Sequence, residues 1–114
     1  MDAFYGCSGL TGEVVIPDSV TKIWGDVFFG CENITSVVIG NGITEIREWM
    51  FTNCTSLQSV TIPKSVKSIE RFAFRDCTSL ISIIFTGTQS EWNSIYKNAS
   101  WNQNTGSYTI TYLG

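Results

Sequence analysis

The sequence predicts a repeat solenoid: short turns stacked on one parallel β-sheet and followed by a C-terminal cap of mixed helix and strand. Three observations predict it. Cysteines fall at Cys7, Cys31, Cys54 and Cys77, in steps of 24, 23 and 23 residues. Phe4, Phe28, Phe51 and Phe74 precede them and take the same steps. Downstream of each cysteine, aliphatic residues alternate with polar or β-branched ones over the length of a short strand.

The repeat continues through further columns. Leu10, Ile34, Leu57 and Leu80 form one; Val14, Val37, Val60 and Ile83 form the next, followed by Ile16, Ile39, Ile62 and Phe85. Val20, Ile43 and Val66, then Ile23, Ile46 and Ile69, complete the unit, and a single extra residue lies in Thr11-Gly12-Glu13. A self-similar period of this length marks a stacked array. One repeat cannot bury its own apolar edge, whereas stacked repeats place like residues over like and make a continuous core. Each buried aliphatic then contributes roughly 1.5–3 kcal/mol relative to exposure.

Within a unit, Val60-Thr61-Ile62 and its equivalents place alternate side chains on opposite faces, one face inward. Neighbouring strands are expected in parallel register, about 4.8 Å apart. Pro17 and Pro63 end their strands, and Gly40 with Gly42 serves the same corner in the second unit. The segment from Ile69 through Phe74 to Cys77 returns along the other side. Repeats are expected over residues 1–85, about four units with the first incomplete, and a cap over residues 86–114. In the cap, Thr88-Gln89-Ser90-Glu91 fits a capping box, which predicts a helix near residues 90–97 with Trp92 and Ile95 facing the last repeat. Tyr108, Ile110 and Tyr112 alternate, which predicts a closing strand near residues 107–112.

The unit resembles the BspA-type leucine-rich repeat, which runs strand, Pro-x-Ser-Val, x-x-Ile-Gly-x-x-Ala-Phe, x-x-Cys, x-x-Leu. Here it reads Val60-Thr61-Ile62-Pro63-Lys64-Ser65-Val66, Ile69-Glu70-Arg71-Phe72-Ala73-Phe74, Cys77-Thr78-Ser79-Leu80. The resemblance covers about residues 2–85. Gly87 through Trp92, with Asn104-Thr105-Gly106, is similar to the family's C-terminal cap. It implies a leucine-rich repeat solenoid used for adhesion or protein binding, often on the surface of bacteria and some parasitic protists. The chain departs from the pattern where Trp24, Arg47 and Glu70 replace the glycine, and where Val27 and Met50 replace the alanine.

Composition narrows the function classes. A chain of 114 residues with 43% hydrophobic residues is one folded domain. Its net charge is -3, from 7 basic and 10 acidic residues without a basic run. Nucleic acid and anionic membrane both demand clustered Lys and Arg, so neither is an expected partner. No apolar run is long enough to span a bilayer. The chain contains no histidine, which removes Ser-His-Asp chemistry and most zinc sites. No metal, cofactor or catalytic residue is expected. The cysteines are expected to be small buried thiols at core columns, because disulfides between neighbouring turns would strain a parallel stack. Glu45, Glu48 and Glu70 are expected to pair with cations of adjacent units, Arg47 with Glu70 and Glu48 with Arg71; Arg47 is also placed to lie over Trp24. The sequons at Asn33, Asn53 and Asn98 are expected to be unused, since the motif is short and commonly accidental and the first two place a core-column residue in the middle.

Two surfaces are candidates for binding. On the concave sheet face the outward strand residues are Glu13 and Val15, Ser36 and Val38, Ser59 and Thr61, Ser82 and Ile84. Apolar residues in such a row, flanked by serines, form a docking strip. The plainer reading is that β-branched residues suit an exposed strand. On the return side, Trp24, Trp49, Phe72, Phe29 and Tyr5 supply aromatics. They form either a second contact surface or a satellite core under the return loop.

The expected function is a non-catalytic protein-binding module of a surface or secreted adhesin-like repeat protein, with another protein or glycoprotein as partner. Two alternatives stay open: a complete small intracellular inhibitor, encoded by a phage or mobile element, that masks a host protein, and a self-assembling structural repeat joined through an open N-terminal edge. Asp2-Ala3-Phe4 aligns with Asp26-Val27-Phe28, so the chain starts mid-repeat, and its first residues carry no signal peptide. Expected localisation follows from that choice: cell surface or secreted for a fragment, cytoplasmic for a complete chain.

Overall fold

The computed structural model describes residues 10–23 and 28–114. The chain climbs as a stack of turns. Each turn lays one strand on a long sheet, rounds a corner, and returns through a shorter strand and a series of tight turns. The long sheet contains β1 (Gly12–Val15), β2 (Ile34–Val38), β4 (Ser59–Ile62), β6 (Ser82–Phe85) and β8 (Thr109–Tyr112), in that order and all parallel. A second sheet on the return side contains β3 (Glu45–Ile46), β5 (Ser68–Ile69) and β7 (Tyr96–Lys97), also parallel. Helix α1 (Gln89–Ser94) joins β6 to β7.

The register is the one the apolar columns demand. Val14, Val37, Val60 and Ile83 lie side by side and buried, while Val15, Val38, Thr61 and Ile84 lie side by side on the opposite face. The one slip in the sheet falls between Gly12 and Glu13, in the segment that holds the extra residue. Gly12 sits there at φ 70°, a conformation that costs glycine little. At the corner of the second unit, a Cβ on Gly40 would lie 2.4 Å from the Ile16 carbonyl oxygen, so only glycine lets the rungs approach.

The core lies between the sheets and runs the length of the stack. Phe28, Phe51 and Phe74 form its spine, with ring centroids 5.3 Å and 5.1 Å apart and planes within 13° and 8° of parallel. Offset stacking of this kind adds about 0.5–1.5 kcal/mol per pair beyond burial. The cysteine column ties neighbouring rungs together: the Cys54 thiol donates to the Phe28 carbonyl and the Cys77 thiol to the Phe51 carbonyl, both at 3.1 Å. A small apolar side chain with one weak donor fits a tight site facing a carbonyl. Its hydrogen bond with Cys54, followed by burial, holds the Cys77 thiol far above the ordinary thiol range. Cys31 corrects the expectation of four thiols: it is buried and disulfide-bonded, whereas Cys54 and Cys77 are free. Cys7 lies outside the described residues.

The C-terminal segment is a fifth turn. Trp101 takes the next place on the phenylalanine spine, edge-on to Phe74 at 6.0 Å. Ile110 pairs with Ile83 and Tyr112 with Phe85, a step of 27 residues in place of 23. The extra length is absorbed by α1, which replaces the corner made elsewhere by residues such as Pro63–Val66. The capping box is complete, with the Glu91 amide donating to Thr88 Oγ1 and the Thr88 amide donating to Glu91 Oε1. The helix is shorter than residues 90–97, because Tyr96 and Lys97 pair with Ser68 and Ile69 as a strand. Trp92 and Ile95 are both buried, with Trp92 edge-on to Phe85.

Candidate functional site

The concave strip is continuous. Val15 opposes Val38, Val38 opposes Thr61, Thr61 opposes Ile84, and Ile84 opposes Thr111. Beside it runs a second row of Glu13, Ser36, Ser59, Ser82 and Thr109. Parallel pairing alone sets both rows, since residues two apart share a face and each rung stands about 4.8 Å from the next. Val15 is 54% exposed and Val38, Thr61 and Ile84 are half-buried, so the strip is accessible along its length. Its only charged group is Glu13, at the edge strand. Thr109 and Thr111 extend both rows beyond the eight expected residues. The alternation around Ile110 is visible in sequence, but the step of 27 conceals its membership of the same sheet. Ile81, 59% exposed just before β6, is a further apolar residue beside this face.

The return side differs. Trp49 and Phe72 are half-buried and in contact, with centroids 4.8 Å apart, and Phe29, 42% exposed, lies 6.3 Å from Trp49. The guanidinium groups of Arg71 and Arg75 lie 4.6 Å and 4.8 Å from the Phe72 ring centroid. Trp24 and Tyr5 lie outside the described residues. Trp49 and Phe72 adopt φ 68° and 58°, which costs an L-residue with a bulky side chain about 1–2 kcal/mol each. The strain is sustained by neighbouring rungs: the Trp49 amide donates to the Arg71 carbonyl and the Phe72 amide to the Ser100 carbonyl.

The expected charge pairs are rearranged. Arg47 reaches Glu45 at 3.1 Å, two residues earlier in the chain, in place of Glu70 on the next rung. Glu45 and Arg47 flank the inward-facing Ile46, so both side chains emerge on the outward face, where they can meet. Arg71 turns to the Phe72 ring, and among the described residues neither Glu48 nor Glu70 forms an ion pair. These groups surround a groove of about 500 Å³ lined by Glu45, Arg47, Glu48, Trp49, Glu70, Arg71 and Asn98. A smaller hollow of about 140 Å³ lies between the Lys64–Lys67 corner and α1. In the cap, Lys97 donates to the carbonyls of Trp92 and Ile95, and desolvation lowers its pKa.

Among the described residues no group of His, Cys, Asp and Glu gathers as a metal ligand set, and no helix is long and apolar enough to cross a membrane. Two parallel sheets around an in-register apolar spine define a leucine-rich repeat solenoid. The family model for the BspA type leucine rich repeat region matches residues 1–113, and the chain belongs to that family. Among solved structures it is similar to a leucine rich cell surface protein from Faecalibacterium prausnitzii, at 32% identity and a TM-score of 0.70 over 85% of this chain. The chain spans 31% of that protein's length. No match was found among curated proteins.

Proposed function

We propose that the chain is a non-catalytic protein-binding module of a cell-surface or secreted adhesin-like repeat protein, and that the concave strip makes the contact. The observation that carries this reading is the uninterrupted row Val15, Val38, Thr61 and Ile84, accessible and uncharged across four strands. An accessible row of apolar and hydroxyl side chains on a rigid sheet releases water on docking without first breaking ion pairs. The serine row beside it supplies hydrogen bonds at a fixed spacing, and Glu13 marks its edge. Membership of the family and likeness to a leucine rich cell surface protein support the surface setting.

The test is a binding comparison between the natural chain and a triple variant, Val15→Lys, Val38→Lys and Ile84→Lys, each immobilised and offered extracellular glycoproteins and cytosolic proteins separately. A partner from the extracellular set that is retained by the natural chain and lost by the variant is the expected result. Equal retention by both chains removes the concave strip from the interface, and retention from the cytosolic set alone removes the surface setting.

A further inference from the structure

The geometry points to a saccharide-binding groove on the return side, separate from the concave strip and directed at a neutral, hydroxyl-rich ligand. The groove crosses three rungs. Arg47, Glu70 and Asn98 occupy equivalent positions just after β3, β5 and β7, and the rungs are locked in register where the Glu70 amide donates to the Ile46 carbonyl at 2.9 Å and the Asn98 amide to the Ile69 carbonyl at 3.0 Å. Two rung spacings give a floor about 10 Å long. A volume of about 500 Å³ falls in the range of small-ligand sites.

The lining chemistry selects the ligand. Carboxylates only accept hydrogen bonds and guanidinium groups only donate them. Glu48 and Glu70 line the groove without ion-pair partners among the described residues, and Arg71 stands beside them. A ligand must therefore donate and accept within one small volume. Sugar hydroxyls do both from a single atom, and Asn98 adds a side-chain amide that also does both. An anion would meet Glu45, Glu48 and Glu70, and a cation would meet Arg47 and Arg71, so the mixed wall disfavours either charge.

Trp49 supplies the apolar part. Phe72 and Phe29 both contact its indole, with ring centroids 4.8 Å and 6.3 Å away. The same left-handed turn recurs one unit later at Phe72, so the tight turn of the return path itself places a large aromatic in the wall of the groove. The C–H face of a pyranose ring against the indole leaves its hydroxyls to reach Glu48, Glu70 and the Asn98 amide.

The test is a titration of the isotope-labelled chain with neutral oligosaccharides of glucose, xylose, mannose and N-acetylglucosamine at millimolar concentration, followed by amide and indole NMR signals. One sugar class is expected to shift the Trp49 indole and the amides of Arg47, Glu70 and Asn98 while leaving β2 and β4 unmoved. Glu70→Gln is expected to weaken that binding about tenfold, as for a lost hydrogen bond to a charged group, and Trp49→Ala to abolish it. Val38→Lys on the concave face is expected to leave it unchanged. Glu48→Gln, on an exposed side chain, repeats the test should Trp49→Ala disturb folding. The proposal is overturned if no neutral oligosaccharide shifts these signals, if the shifts persist undiminished in the Glu70 and Glu48 variants, or if only a charged peptide produces them.

Discussion

The two faces of the solenoid are made by the same 23-residue period and have opposite characters. The concave sheet is regular, unstrained and almost free of charge, with every row set by parallel pairing. The return side carries the arginines, Glu45, Glu48 and Glu70 with the Trp49 aromatic cluster, and all the described non-glycine residues with positive φ lie there or in the cap. The difference follows from geometry. A strand offers one repeating conformation, so its outward residues vary without backbone consequences. The return path must turn several times within a short stretch, so its hydrogen bonds fix conformations that particular side chains then tolerate or resist. Evolution of a binding surface is therefore free on the sheet and constrained on the return.

The largest test of this contrast lies in the core. Phe51, between Phe28 and Phe74, anchors the return wall, and Phe51→Ala is expected to destabilise the fold by about 3–5 kcal/mol. Val60→Ala in the sheet wall removes fewer buried carbons and is expected to cost roughly 2 kcal/mol. Urea unfolding of both variants checks the ranking, and equal losses would break it. Next comes backbone conformation. Asn53 sits at φ 63°, and Asn53→Ala is expected to cost about 1 kcal/mol, because alanine tolerates that region poorly. On the sheet, Ser59→Ala is expected to stay within about 0.5 kcal/mol.

The cap tests both faces at once, since its strands extend each sheet. Thr88→Ala removes half of the capping box and is expected to cost about 1 kcal/mol. The backbone hydrogen bond from Thr88 depresses the Glu91 carboxyl pKa, so the cap's contribution is complete above the ordinary glutamate range. It is lost as pH falls through the depressed folded-state value. The gap in thermal midpoint between the natural chain and Glu91→Gln should accordingly close on acidification. The smallest expected effect is that of a single lysine on the concave strip: Val15→Lys should shift stability by no more than about 0.5 kcal/mol, so any loss of binding reads contact and not unfolding.

The apolar columns are legible in the sequence because each is a residue type repeated at one step, and burial forces that repetition. The strip is legible for the same reason, as its members lie between the columns. The fifth turn is not, because α1 lengthens the step and Trp101 stands where a phenylalanine is expected. The left-handed backbone at Trp49 and Phe72 stays hidden, since neither residue type signals it. Column alignment pairs Arg47 with the wrong glutamate, because it reports vertical neighbours and is silent about residues two apart in the chain. The disulfide at Cys31 is hidden too: its column matches those of Cys54 and Cys77, which are thiols.

Parallel stacking has a mechanical consequence. The hydrogen bonds between rungs run along the stack, so tension applied at its two ends opens them one row at a time and does not shear a whole sheet at once. Each released unit of 23 residues yields roughly 75–80 Å of extended chain before the next rung bears the load. Under traction the array would give way as a series of short, separate ruptures, with the last turn, stiffened by its aromatic cluster and helix, as a distinct final event.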